Sequence, residues 1–141
     1  MIRRADPTDI AALAALAAAS GDDGGDSAGL PARLARMLDQ ATHAVFLAED
    51  DAGPCGFAAA EHRLAADGEH VELTCLSVSE AARRRGLGSQ LVAATEAWAR
   101  RRGVDRVQLA VGPARDAGHA FCSALGYEAL ETRQVYLRTL R

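Results

Sequence analysis

A junction between a strand pattern and a helix pattern, near the middle of the chain, limits the folds that this sequence can adopt. Alternating apolar residues predict a strand over 70–78, and apolar residues at helical spacing predict a long helix over 87–102 that ends at Gly103. The segment that begins this helix, Arg83-Arg84-Arg85-Gly86-Leu87-Gly88, combines three positive charges with two glycines. This order of strand, basic turn and helix predicts a mixed fold with an anion site at the turn.

The chemistry of the turn supports a phosphate ligand. The first N–H groups of a helix have no intrahelical partner and lie at the positive end of its dipole. Gly86 and Gly88 lack a Cβ atom, so a pyrophosphate can approach the backbone closely. The Ser89 hydroxyl and the guanidinium groups add charge-assisted hydrogen bonds. The segment matches neither the P-loop nor the dinucleotide-binding pattern, and a solvated arginine-rich surface is the alternative explanation for it.

The rest of the chain changes from helix to strand and back. The predicted elements are helices over 7–19 and 30–40, an antiparallel meander over 43–49, 55–64 and 70–78, and, after the long helix, a strand over 104–111, a helix over 116–125 and one or two closing strands over 127–140. Thr8 or Asp9 is the predicted cap of the first helix, beside Pro7. The chain should form a single domain, residues 1–141, with an α/β (α+β) fold in which helices cover both faces of a mixed, mostly antiparallel sheet.

Composition argues against several classes of function. The formal net charge of -3 is unfavourable for binding nucleic acid. No apolar run reaches the roughly 18 residues of a membrane span, and Asp9 interrupts the N-terminal apolar stretch that a signal peptide would need, so a cytoplasmic location is expected. The 3 cysteines lack C-x-x-C spacing, and no two of the 4 histidines have ligand spacing on one helix. We therefore expect neither a disulfide framework nor a metal site.

Leu76-Ser77-Val78 followed by Arg83–Gly88 resembles motif A of the GNAT superfamily of N-acetyltransferases, which reads [QR]-x-x-G-x-[GA]. Its three defined positions correspond to Arg83, Gly86 and Gly88, and the order of elements is similar from Ile2 to about Leu140. The resemblance implies acetyl-CoA as the acyl donor. It implies that the pyrophosphate of coenzyme A contacts a run of seven residues, Arg83, Arg84, Arg85, Gly86, Leu87, Gly88 and Ser89. It also implies that main-chain groups of Leu76 and Val78 contact the pantetheine arm and the thioester, in a gap between two splayed parallel strands.

A second segment, 116–127, resembles the later family pattern A-x-x-x-[LF]-Y-x-x-x-G-[FY], and Phe121, Gly126 and Tyr127 match it. Cys122 occupies the position where the family commonly has the tyrosine assigned to protonate the departing thiolate. A thiol with an ordinary pKa of about 8.5 could donate that proton, so Cys122 is the candidate acid. A small, buried structural thiol is the alternative. His119 is predicted to contact the cofactor.

Glu72 is the candidate general base, because family members often place an acidic base on this strand. A hairpin turn centred near Asp67 would place Glu72 across from His62, and on the face shared with Thr74 and Leu76. Some relatives carry the acid nearer the position of Thr74, and a surface carboxylate at a strand end is the alternative explanation for Glu72.

Three further groups could contribute. His62 and His70 could assist the base; the same turn places His70 across from Leu64. The acidic loop over 21–29 could attract a cationic acceptor through Asp22, Asp23 and Asp26, or it could be a solvated loop.

The resemblance implies direct acetyl transfer from acetyl-CoA to a primary amine of a small molecule or peptide, without a covalent acyl-enzyme. The segment over 126–137 is similar to the tail of aminoglycoside 6'-N-acetyltransferases, so an aminoglycoside is one candidate acceptor among small amines, amino acids and protein N-termini. The alternative function is a non-catalytic acyl-CoA-binding regulatory module, and a purely structural domain would leave the glycine-containing turn unexplained. The oligomeric state stays open, with a homodimer as one alternative.

Overall fold

The computed structural model describes residues 1–19, 27–111 and 116–140. The chain divides into two compact units, Met1–Ala110 and Val111–Arg141, and each is described by itself. The single-domain organisation of residues 1–141 stays a prediction.

The first unit contains a 5-stranded sheet in the order β1-β2-β3-β4-β5. The strands are β1 (Ile2–Arg4), β2 (His43–Asp50), β3 (Gly53–Ala65), β4 (Gly68–Val78) and β5 (Val107–Leu109). The helices are α1 (Ile10–Ala19), α2 (Leu30–Leu38) and α3 (Leu87–Arg101), and short 3-10 turns occupy Pro7–Asp9, Ser27–Gly29 and Glu80–Ala82. Neighbouring strands are antiparallel except for β4 and β5, which are parallel. The predicted mixed, mostly antiparallel sheet is confirmed.

Helices α1 and α2 pack on one face of the sheet. The buried side chains of this core come from both helices and from β2 and β3: Leu13, Leu34, Val45, Leu47, Phe57 and Ala59. The cap of the first helix is Asp6, so the prediction of Thr8 or Asp9 is wrong. The Asp6 carboxylate accepts the Thr8 N–H at 2.8 Å, and the Asp9 carboxylate accepts the Asp6 N–H at 2.8 Å. Because Pro7 already lies inside the turn, the residue before it must be the cap.

Helix α3 packs against β2, β3 and β4 on the opposite face. Its buried residues are Leu87, Leu91, Val92, Thr95, Trp98 and Ala99. At the end of the helix, Arg102 lies over the Trp98 ring at 5.1 Å and donates to His62 Nδ1 at 2.8 Å. Gly103 follows with φ 76°, which confirms the predicted glycine termination.

The β3–β4 hairpin differs from the prediction by one residue. Ala65 pairs with Gly68, so the turn contains two residues and is centred before Asp67 rather than on it. This displacement moves every partner by one position. Glu72 therefore lies opposite Glu61, not His62, and His70 lies opposite Arg63, not Leu64.

A bulge in β4 corrects a second prediction. Ala59 pairs with Cys75 and Ala60 pairs with Leu73, so Thr74 is an extra residue in the ladder. An extra residue inverts the alternation of side chains beyond it. Glu72 and Leu76 consequently lie on opposite faces of the sheet, although a regular strand would place them on the same face.

The second unit contains α4 (Asp116–Ala124), after which Gly126 has φ 85°. A Cβ atom on Gly118 would lie 2.7 Å from Val111 Cγ1, so glycine permits this close contact. Residues 127–140 contain neither helix nor strand, in contrast to the predicted closing strands. A strand pattern alone is insufficient, because a strand needs a hydrogen-bonding partner. No helix within the described segments is long and apolar enough to cross a bilayer.

Candidate active site

A gap opens between β4 and β5 in the first unit. The two strands pair only from Val71 to Leu73 of β4. Strand β4 continues to Val78, whereas β5 ends at Leu109. Within the described residues, no strand pairs with this edge of β4 beyond Leu73. We call this opening the β4–β5 gap, and it corresponds to the predicted splayed parallel pair.

The bulge at Thr74 determines which backbone groups of β4 face the gap. Val71 donates its N–H toward β5, to the carbonyl oxygen just before that strand, at 2.9 Å. Ser79 donates its N–H in the other direction, to a β3 carbonyl oxygen at 2.7 Å. Because backbone groups alternate in direction along a strand, the residues one and three positions before Ser79 are directed away from β3. The main-chain groups of Leu76 and Val78 therefore face the gap.

Gly56 permits the close pairing of β3 with this end of β4. A Cβ atom at Gly56 would lie 2.8 Å from the carbonyl oxygen of Ser77 and 3.4 Å from Val78 Cα. Any side chain at position 56 would therefore force the two strands to shift. Gly56 is not among the predicted site residues, and its only signal in the sequence is a glycine inside a strand pattern.

The basic turn leads directly into α3. Gly86 is the N-cap residue with φ 75°, no side chain caps the helix, and its first turn contains no acidic residue. The N–H of Gln90 donates to the Gly86 carbonyl oxygen at 3.1 Å, which is the first bond of the helix. The N–H groups of the three preceding residues, Leu87, Gly88 and Ser89, consequently have no intrahelical acceptor. This uncapped end is suited to an anion.

The three arginines of the turn are exposed. Arg83 donates from Nε to the Val78 carbonyl oxygen at 3.3 Å, and so links the turn to the end of β4. Arg84 adopts φ 68°, a strained conformation for a residue other than glycine. Arg85 Nη1 lies 3.0 Å from Asp50 Oδ2, which partly neutralises the charge of Arg85. The predicted cofactor contacts of the first unit thus form one continuous region.

A row of charged side chains crosses three strands on the face that α1 and α2 cover. We call it the charged row; its members are His43, Glu61, Arg63, His70 and Glu72. His43 Nε2 lies 2.9 Å from Glu61 Oε2, and Arg63 Nε lies 2.6 Å from Glu61 Oε1. His70 Nε2 lies 2.9 Å from Glu72 Oε1, and Arg63 Nη1 lies 3.6 Å from the same oxygen. The strand register places these residues on one face, because Glu61 is opposite both His43 and Glu72.

The two carboxylates of the charged row differ in their contacts with Arg63. The hydrogen bond from Arg63 lowers the pKa of Glu61 below its ordinary value, and His43 adds to the lowering while burial opposes it. A carboxylate with a lowered pKa accepts a proton less readily. Glu72 has no arginine contact as short as that of Glu61, and its side chain is 15% exposed. The assignment of Glu72 as the base stays a prediction.

The histidines predicted to assist are on different faces. His70 is beside Glu72, whereas His62 is on the α3 face between Arg102 and Glu69. Asp22, Asp23 and Asp26 lie outside the described residues. In the described part of the chain, no group of three or more His, Cys, Asp or Glu side chains could hold a metal ion.

Cys122 and His119 both lie on α4 of the second unit. Burial raises the pKa of the Cys122 thiol above its ordinary value, although a backbone hydrogen bond opposes this effect. The thiol therefore keeps its proton at neutral pH. A raised pKa makes the thiol a weaker proton donor to a departing thiolate. His119 is exposed on its helix. Their roles toward the first unit stay predictions.

Comparisons with known proteins identify the family. The model of the acetyltransferase (GNAT) family matches residues 11–127, and the chain belongs to this family. The aminoglycoside N-acetyltransferase AAC(6')-Iy, in complex with the bisubstrate analog CoA-S-monomethyl-acetylneamine, shares 26% sequence identity at a TM-score of 0.86, over 99% of this chain and 98% of that one.

Two further aminoglycoside 6'-N-acetyltransferases share the fold. AAC(6')-IG from Acinetobacter haemolyticus is 18% identical at a TM-score of 0.86, over 100% of this chain and 99% of that one. AAC(6')-Ih from Acinetobacter baumannii is 21% identical at a TM-score of 0.83, over 100% and 98%. No curated protein sequence matches the chain. The predicted family and the predicted similarity to aminoglycoside 6'-N-acetyltransferases are confirmed.

Proposed function

We propose that this protein is an acetyl-CoA-dependent N-acetyltransferase that acetylates a primary amine of a small molecule by direct attack. The observation that carries the proposal is the β4–β5 gap. From the end of β4 the chain leads through the basic turn to the uncapped N-terminus of α3. Leu76 and Val78 direct main-chain groups into this gap. The similarity to AAC(6')-Iy in complex with a bisubstrate analog that contains coenzyme A supports the same donor.

The residues of the turn suit the donor. Coenzyme A carries a pyrophosphate, which the N–H groups of Leu87, Gly88 and Ser89 and the charges of Arg83–Arg85 would bind. The pantetheine arm would extend along the free edge of β4. The N–H groups that face the gap would then stabilise the negative charge that develops on the thioester oxygen. Both glycines of the turn keep the backbone open to the phosphates.

The transfer needs a neutral amine and the removal of one proton. The amine nitrogen attacks the thioester carbon, and the tetrahedral intermediate then releases the thiolate of coenzyme A. Glu72 would take the proton from the nitrogen. Cys122 is the proposed donor to the thiolate, and its raised pKa predicts that water can replace it at little cost.

The acceptor is proposed by class. A small amine, which includes an aminoglycoside, agrees with the similarity to aminoglycoside 6'-N-acetyltransferases; a peptide amine is the other acceptor that the same chemistry allows. We also propose a cytoplasmic location for the protein, and a homodimer is one oligomeric state that it could adopt.

Two measurements test the proposal in sequence. Coenzyme A should raise the melting temperature, since a ligand that binds only the folded state stabilises it. Thiol release from acetyl-CoA should then require an added amine. An unchanged melting temperature would remove the donor from the proposal. A clear thermal shift without turnover on any amine would instead indicate the non-catalytic acyl-CoA-binding module.

A further inference from the structure

We propose that His70 is a positioning residue and proton relay for Glu72, which carries the proton of the acceptor amine from the site to solvent. This inference rests on the proposed acetyl transfer. It names a residue that the motifs of the family do not specify, and it assigns a purpose to one end of the charged row.

The contact between the two side chains is direct. His70 Nε2 lies 2.9 Å from Glu72 Oε1, and both side chains are on the same face of β4, two residues apart. The side chain of Glu72 is 15% exposed and that of His70 is 23% exposed. The base is therefore the more enclosed of the pair, and His70 can exchange its proton with water.

The position of the pair along β4 suits the acceptor side of the gap. Glu72 lies opposite Gln108 of β5, one residue before the last paired position at Leu73. The unpaired edge of β4, where the thioester is proposed to lie, begins immediately afterwards. A base at this point comes a few residues before Leu76 on the same strand, and it is supported by strands on both sides.

The charged and titratable groups around the pair come from the elements packed beside it. From β3, Arg63 contacts both Glu61 and Glu72, and from β2, His43 contacts Glu61. Gln108 on β5 is neutral. Helix α1, which packs against β4, carries no titratable side chain, and α2, which packs against β2, carries two positive charges, Arg33 and Arg36.

The relay balances as three proton transfers, after which the ring returns to its starting tautomer. The attacking nitrogen gives one proton to the Glu72 carboxylate. Glu72 then passes a proton to the unprotonated Nε2 of His70, whose Nδ1 carries hydrogen, and this regenerates the carboxylate. The imidazolium loses its Nδ1 proton to water, and its Nε2–H then donates to the regenerated carboxylate. Exchange of the ring hydrogen with water returns His70 to the Nδ1–H tautomer before the next turnover. No bond other than N–H and O–H bonds is made or broken in the relay, and histidine is suited to it because its ordinary pKa is about 6.5.

The hairpin contains a matched histidine that lacks the proposed role. His62 Nε2 also lies 2.9 Å from a glutamate, Glu69 Oε2, but on the α3 face. Its other nitrogen, Nδ1, accepts a hydrogen bond from Arg102 at 2.8 Å. This bond occupies the nitrogen through which a relay would release its proton. His62→Gln is therefore the control for His70→Gln.

The test compares the two variants in steady-state kinetics across pH, with acetyl-CoA and the best amine found. Glutamine at position 70 can still donate a hydrogen bond to Glu72, but it cannot carry a proton. We expect His70→Gln to lower kcat at least tenfold, to leave the KM for acetyl-CoA unchanged and to remove the limb of the pH–kcat profile that is due to His70. Added imidazole should restore part of kcat in His70→Ala. His62→Gln should keep the wild-type kcat.

The outcomes separate the relay from the proposed function. Wild-type kcat and an unchanged pH profile in His70→Gln would overturn the relay while the acetyl transfer stands, and so would equal losses in both glutamine variants. Absence of turnover by the wild type with every amine would overturn both. A second readout is the NMR spectrum of the His70 ring: Glu72→Gln should change its chemical shifts, and unchanged shifts would contradict the contact between the two side chains.

Discussion

Replacement of Gly56 by alanine should disturb the donor site from outside it. The new Cβ would lie 2.8 Å from the Ser77 carbonyl oxygen, a backbone atom that cannot rotate away. Strand β4 must then shift from β3 by several tenths of an ångström, and the shift falls beside Leu76 and Val78. Overpacking of this kind costs about 1–3 kcal/mol. We expect a loss of that size in the free energy of unfolding.

The same shift should weaken binding of acetyl-CoA, because the displaced main-chain groups are those proposed to contact pantetheine. Urea denaturation gives the stability, and isothermal titration gives the Kd, which should rise by about tenfold, equivalent to about 1.4 kcal/mol. Gly53→Ala is the control: it has φ 109° and no atom within 4 Å of its Cβ, so it should strain the β2–β3 turn without changing the Kd. A wild-type Kd in a folded Gly56→Ala protein would refute the assignment of this edge of β4 to the donor.

Three other perturbations have defined results. Asp50→Asn releases Arg85 from its ion pair at 3.0 Å, so acetyl-CoA should bind up to a fewfold more tightly at low salt, and titration at low and high salt checks this. Cys122→Ser should change kcat by less than about threefold, because a thiol whose pKa is raised donates little to the leaving thiolate; a loss of a hundredfold or more would establish Cys122 as the acid. Asp9→Asn should cost about 0.5–1 kcal/mol at neutral pH, because it removes the charge that pairs with Arg3 at 2.8 Å, whereas its amide oxygen can still accept the Asp6 N–H. The hydrogen bond from Arg3 lowers the pKa of Asp9 in the folded state. The stabilisation by the Asp9 carboxylate is therefore fully present above the unfolded pKa of about 3.9, and it is lost as the pH falls through the lower folded pKa. Denaturation at a series of pH values should show the free energies of unfolding of the two proteins converging at that lower pH.

The features that could be predicted from the sequence are those set by short stretches of chain. The basic turn, the start of α3 at Leu87 and its end before Gly103 follow from local chemistry, and all are present in the structure. The apolar stripes of α1 and α2 were predictable for the same reason, since a helix repeats its core-facing positions every three to four residues.

The features that could not be predicted depend on the pairing of strands. A two-residue turn in place of one centred on Asp67 changed each partner in the hairpin, and the bulge at Thr74 then changed the face of Leu76. Neither is encoded in a recognisable motif, because the cost of an alternative register is set by the whole ladder. Consequently the neighbours of Glu72 became known only from the structure, and with them the charged row.

The central claim is best tested by the products of a single incubation. The protein, acetyl-CoA and a panel of primary amines, with aminoglycosides among them, are analysed by mass spectrometry for acetylated amines and by a thiol assay for coenzyme A. The enzyme proposed here should add one acetyl group to an amine for each thiol released, and Glu72→Gln should slow both together. Thiol release without any acetylated amine, or no release at all, would contradict the proposed N-acetyltransferase.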